Sequence, residues 1–193
     1  MRVIAGCAGG IQLGVPKSGV RPTMDRVKAA IFSSLSDSVI GVRVLDLFAG
    51  SGGLGIEALS RGADSALFVD DDRQAIAAIE SNLGKTKLLG QVRHQEVFDF
   101  LKHASVAPTF DLIFADPPYE QSKSGKRFTD KLLNNEILPK LLRPGGTFVL
   151  EKWPSEQLPA TSFWNVIRQK TYGATEVLFL SPGTPQSAVG NPQ

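Results

Sequence analysis

From Val44 to Leu59 the chain reads Val-Leu-Asp-Leu-Phe-Ala-Gly-Ser-Gly-Gly-Leu-Gly-Ile-Glu-Ala-Leu, an apolar run that breaks into glycines and resumes with helical spacing. Few architectures accept such a segment: a buried strand must turn within a few residues into a helix. Glycine permits the tight turn and a close approach of ligand to backbone, and the helix that follows presents free N–H groups at its start. The pattern is that of a nucleotide-type cofactor loop. Gly50, Gly52 and Gly55 also satisfy the G-x-G-x-x-G spacing, which keeps a nicotinamide-binding fold open. Asp46 argues against that fold, because a carboxylate beside a pyrophosphate is unhelpful, whereas it helps hold a cationic amino-acid ligand. S-adenosylmethionine has such an end. Roughly twenty residues after Gly50, Leu67-Phe68-Val69-Asp70-Asp71-Asp72 ends a second strand, where Asp70 is placed to accept ribose hydroxyls. Asp72 is expected to cap the next helix.

The rest of the chain alternates in the same way. Strands are predicted near 42–48, 66–70, 91–95, 110–115 and 146–151, with helices near 53–61, 72–83, 97–103 and 129–142. Alternation of this kind predicts an α/β fold, a mostly parallel sheet covered by helices on both faces. After Pro154 two strand-like segments, 163–171 and 174–181, meet at Tyr172-Gly173 and predict an antiparallel hairpin at the end of the sheet. At the other terminus, apolar stretches at 2–5 and 10–15 flank Gly6-Cys7-Ala8-Gly9-Gly10, which reads as a β-hairpin projecting ahead of the domain. The expected organisation is an N-terminal extension over 1–20, one catalytic domain over 21–181, and a disordered Pro-, Gly- and Ser-rich tail over 182–193.

A second motif follows the fourth predicted strand. Phe110-Asp111-Leu112-Ile113-Phe114-Ala115 runs into Asp116-Pro117-Pro118-Tyr119. Two prolines stiffen the turn and donate no N–H, which leaves carbonyl acceptors beside the Asp116 carboxylate, while Tyr119 offers a flat face for stacking. Such a turn suits a planar exocyclic amine. The plainer reading is an acidic turn that merely ends a strand. Ligands of an open parallel sheet sit outside the C-terminal strand ends, where strand order reverses, so this motif and the glycine loop are expected to share one cleft.

Composition limits the alternatives. At 193 residues, 42% hydrophobic and 21% charged, the chain suits one globular domain. No apolar run approaches the ~20 residues of a membrane span, and the N-terminus lacks a signal-peptide core, so a cytoplasmic location is expected. Cys7 is the single cysteine, beside only two histidines, His94 and His103. No disulfide and no metal site are expected, and Cys7 lies far from any Pro-Cys motif that would serve cytosine C5 methylation. Residues 1–43 carry six basic side chains against two acids, whereas the whole chain has a net charge of +2. That excess marks a basic arm for a polyanion, unless it is an ordinary solvated surface. Glu151 and Lys152 are open to two readings, cleft residues or a solvated strand end.

The motifs Asp46 to Gly52 and Asp116 to Tyr119 resemble those of class I S-adenosylmethionine-dependent methyltransferases that act on exocyclic amines, with a Rossmann-like seven-stranded sheet. Arg21-Pro22-Thr23, followed by Asp25-Arg26-Val27-Lys28 and Phe32, narrows the resemblance to the RsmD family, bacterial 16S ribosomal RNA guanine-N2 methyltransferases, over residues 1 to about 181. The resemblance implies S-adenosyl-L-methionine as cofactor, with Asp46, Gly50, Ser51 and Gly52 at its methionine moiety. Phe48, Ala49 and Gly55 belong to the same loop, Asp70 serves the ribose, and Asp71 with Glu96 and Val97 serves the adenine edge. Asp116, Pro117, Pro118 and Tyr119 would hold the target guanine, position 966 in the standard numbering of that RNA. Arg2, Arg21, Thr23, Arg26 and Lys28 would bind the RNA, as naked 16S rRNA or within a small-subunit assembly particle. The enzyme is expected to act as a monomer. The family more often has Asp-Ala where this chain has Glu96-Val97, and residues 120–127 form a polar, basic stretch after the acceptor motif. An adenine-N6 methyltransferase, a nicotinamide dehydrogenase and a noncatalytic RNA-binding factor remain the competing readings.

Overall fold

A computed structural model describes residues 1–15, 24–105, 109–118 and 128–183. Its centre is one seven-stranded sheet in the order β3-β2-β1-β4-β5-β7-β6. The strands are β1 (Arg43–Leu47), β2 (Ser65–Asp70), β3 (Gln91–His94), β4 (Phe110–Ala115), β5 (Leu142–Lys152), β6 (Trp164–Tyr172) and β7 (Thr175–Pro182). The first five are parallel, and β7 inserts antiparallel between β5 and β6. β1 and β4 are buried over their last four residues because helices cover both sheet faces, which is why they read as apolar runs without alternation.

Side chains alternate across the sheet and divide the core in two. One half holds Val44, Phe114 and Val149 under α1 (Met24–Leu35), α2 (Gly53–Ser60) and α3 (Arg73–Thr86). The other holds Leu45, Ile113 and Leu150 under α4 (Val97–His103) and α5 (Phe128–Leu133). The expected cap of α3 is present: the Asp72 carboxylate accepts the Gln74 N–H at 2.8 Å. No helix among the described residues is long and apolar enough to cross a membrane.

Three expectations change. The helix that the pattern predicts over 129–142 is two pieces, α5 and a 3-10 turn at Leu138–Leu141. Asn135 divides them, its side-chain oxygen accepting the N–H groups of Ile137 and Leu138 at 2.9 and 2.8 Å, a local bond that competes with helix propagation. β7 runs on to Pro182, one residue into the segment expected to be a tail; residues 184–193 lie outside the described residues.

The N-terminal segment, finally, does not project. It folds back through one antiparallel bridge, Arg2 with Gln12, and buries Val3, Ala8 and Leu13 in the core. Its amides are taken up by α2: Ile4 and Ala5 donate to the Glu57 carboxylate at 2.7 and 3.1 Å, and Cys7 to the Ser60 carbonyl at 2.8 Å. Gly6 is required at this contact, because its φ is +86° and a Cβ would stand 1.8 Å from the Ser60 oxygen.

Candidate active site

Strand order reverses between β1 and β4, so the loops after these strands part and leave a crevice at their C-terminal ends. A cavity of about 370 Å³ lies there. β1 contributes Asp46 and the turn after it Phe48, Ala49, Gly50 and Ser51; Asp70 ends β2 and Asp71 follows it; Asp116 and Pro118 follow β4. The two motifs that are far apart in the chain therefore line one space.

The turn is shaped by left-handed residues, Phe48 at φ 55°, Gly50 at 55° and Gly52 at 77°. Asp70 fixes it in place. Its two carboxylate oxygens accept the N–H groups of Gly50 and Asp72, at 2.8 and 2.9 Å, which ties the glycine turn to the end of β2. Each oxygen keeps a second lone pair for a ligand hydroxyl. Asp46 is 2% exposed and accepts the Gly55 N–H at 2.8 Å. Burial pushes its pKa up to about 8, against the pull of that hydrogen bond, and the Asp116 and Asp70 charges push the same way. Asp70 is raised too, chiefly by burial. Acids held this way around one cavity suit a ligand with a cationic centre, whose charge offsets their mutual repulsion.

Several predicted residues have other surroundings. Gly52 is the left-handed N-cap of α2, where a Cβ would meet Ile56 at 3.1 Å. Gly55 packs the helix on the sheet, a Cβ there standing 2.3 Å from the Phe68 ring. Neither lines the cavity, and neither do Glu96 and Val97. The Glu96 side chain caps α4 by accepting the Asp99 N–H at 2.7 Å, and Val97 is buried beneath it. Pro117 is buried and Pro118 exposed. Phe48 leans against Phe98 and Phe128, centroids 6.2 and 5.3 Å away, with the Lys131 ammonium 4.9 Å from the Phe98 ring. Tyr119, Arg21, Thr23 and residues 120–127 lie outside the described residues.

The basic arm divides as well. Arg2 and Arg26 are exposed, but Lys28 is 4% exposed, donating to the Arg2 carbonyl at 2.6 Å and lying 3.4 Å from Glu57. Burial lowers its pKa against the pull of Glu57. It is an internal link that also lines the cavity, and sequence charge alone does not distinguish it from its exposed neighbours. Lys152 is buried also, its ammonium 2.6 Å from Glu176. Glu151, by contrast, lines the cavity.

Asn82 of α3 was not signalled by any motif. Fully buried, it accepts the Gly14 N–H at 2.7 Å and donates to the carbonyls of Gly14 and Ser51 at 2.8 and 2.9 Å. One amide thus joins the N-terminal segment to the cofactor-type loop. The available signal was its place on α3 between Ile79 and Leu83, an amide on an apolar face. Asn82→Ala should cost about 2–4 kcal/mol, because it strands the buried Ser51 carbonyl and the half-buried N–H and carbonyl of Gly14; urea unfolding within about 0.5 kcal/mol of the parent would refute this.

The chain matches the family model described as conserved hypothetical protein 95 over residues 1–181. YlbH of Bacillus subtilis is 41% identical over 92% of this chain and 96% of its own length. The Ribosomal RNA small subunit methyltransferase D of Haemophilus influenzae is 34% identical over 90% of this chain and 89% of its own. A solved hypothetical protein of Thermus thermophilus superposes with a TM-score of 0.79 at 30% identity, covering 94% of this chain and 99% of that one. On these matches the chain belongs to the family of conserved hypothetical protein 95, the RsmD family.

Proposed function

We propose that this protein transfers a methyl group from S-adenosylmethionine to the exocyclic N2 of a guanine in small-subunit ribosomal RNA. The observation that carries the reading is the meeting of Asp46, Asp70 and Asp116 around one cavity. The name of the Haemophilus influenzae relative supplies the RNA. S-adenosylmethionine supplies an electrophilic methyl on a sulfonium centre. On the cofactor side, Asp46 and the Gly50-Ser51 backbone take the methionine end, Asp70 the ribose, and Phe48, Ala49 and Asp71 the remaining wall.

On the acceptor side, Asp116 and the Pro117 carbonyl accept the two N–H bonds of the amine. Guanine N2 is a poor nucleophile while its lone pair is delocalised into the ring. Holding both hydrogens turns the lone pair out of conjugation and toward the methyl, so positioning and charge stabilisation are the principal catalytic terms. The proton leaves the product ammonium for Asp116 or water. Tyr119 is assigned to the unstacked base by its motif, and exposed Arg2 and Arg26 to phosphates. The substrate is a small-subunit assembly particle or its RNA, and the enzyme acts as a cytoplasmic monomer.

Transfer of labelled methyl to small-subunit RNA or particles from cells that lack the protein, followed by nucleoside analysis, tests the reading. N2-methylguanine is expected. N6-methyladenine in its place would establish the adenine reading, and RNA binding without release of S-adenosylhomocysteine would leave a noncatalytic factor.

A further inference from the structure

The Asp-Pro-Pro turn holds an amine without distinguishing guanine from adenine. The neighbouring strand carries the distinction. Ala115, the last residue of β4, is paired in parallel register with Leu150 of β5, so Asp116, directly after β4, and Glu151 of β5 each come one residue later. Phe114 and Val149, two residues before them, belong to the core half beneath α1 and α2, whereas Ala115 and Leu150 belong to the other. By alternation Asp116 and Glu151 emerge on the α1 side, and both line the cavity together with Pro118. Glu151 is 9% exposed.

We propose that Glu151 is the residue that selects guanine, by accepting the N1–H of the target base while Asp116 accepts from N2. The inference rests on the methyl-transfer reading above. In guanine the amine at C2 adjoins a ring N–H, so two carboxylates on neighbouring strands meet two donors along one edge. In adenine the ring nitrogen beside the amine is a lone pair. A carboxylate opposite it is repelled, and no proton is available between them. Sites that hydrogen-bond a substrate N–H reject analogues lacking it strongly, because the buried partner is left unpaired.

The test uses full-length protein and small-subunit RNA ligated so that the target position carries guanine or 2-aminopurine. The latter keeps the C2 amine but has a lone pair at N1. The parent protein is expected to prefer guanine by ~100-fold or more in kcat/KM. Glu151→Gln, whose amide can donate to that lone pair, should narrow the preference by about tenfold or more, while S-adenosylhomocysteine binds with unchanged affinity. Glu151→Asp, which keeps the charge, should methylate slowly but retain the preference. A purely structural glutamate would lower both substrates alike and leave the ratio where it was, which would overturn the assignment. So would equal use of the two bases by the parent protein, an arm that needs no variant. Production of N6-methyladenine by the parent would instead remove the function on which the inference stands.

Discussion

Asp116→Ala is expected to lower methyl transfer by about 10³-fold or more, with S-adenosylhomocysteine binding changed by no more than about threefold. The carboxylate stands at the end of β4, half-buried, with Pro117 buried behind it. Alanine there leaves the proline carbonyl as the turn's remaining acceptor, so the amine keeps one of its hydrogens in the ring plane and its lone pair in conjugation. The cofactor half changes little, since Asp46 and Asp70 keep their bonds to Gly55 and Gly50. Single-turnover kinetics alongside calorimetry separates the two effects. Normal turnover in this variant would remove Asp116 from the chemistry, and a parallel loss of cofactor affinity would make it part of the cofactor site instead.

Asp46→Asn should weaken S-adenosylmethionine binding by about 100-fold and abolish a pH dependence that the parent protein shows. In the free protein the Asp46 pKa is about 8, against roughly 3.9 in an unfolded chain. The folded state therefore binds more protons between those values. This contribution to stability is complete below the unfolded pKa and is lost as pH rises through the folded one. A cationic ligand favours the ionised carboxylate. Its binding should release a proton near pH 7, and affinity should rise up to about tenfold per pH unit until it levels above about pH 8. Asparagine can still accept the Gly55 N–H but carries no charge. The variant should thus unfold about 5 °C higher than the parent at pH 8 while binding cofactor poorly. Calorimetry in two buffers of different ionisation enthalpy measures the proton release. Its persistence in Asp46→Asn would transfer the titration to Asp70, whose pKa burial also raises.

Legibility varied with the range of the interaction concerned. The buried strands and the glycine turn are local patterns and were readable. Asp72 capping α3 was readable too, since the bond to Gln74 spans two residues. Glu57 was not, although it is fully buried and binds Ile4, Ala5, Lys28 and Arg61. Its partners lie on three separate segments, and nothing near Glu57 in the chain distinguishes it from a surface acid. For the same reason the N-terminal glycines read as a projecting hairpin, and Lys28 as one more phosphate contact. Gly55 illustrates a subtler limit. Its spacing identifies the loop, yet it packs against Phe68, because the requirement for a missing Cβ does not reveal what occupies the space.

The amino-acid order by itself determined a parallel α/β sheet, a cofactor-type turn after the first strand, and a stiff acidic Pro-Pro turn after the fourth. These follow from periodicity, proline and glycine, all of which act over a few residues. Tertiary structure alone decided that Glu96 caps a helix away from the cavity and that Glu151 lines it together with Asp116. It also decided that Lys28 and Asn82 work inside the fold. Charge interactions fall off with distance, and burial removes the water that would screen them. The raised pKa of Asp46 therefore comes first from its burial and then from the charges of Asp116 and Asp70, which strand order and register bring close.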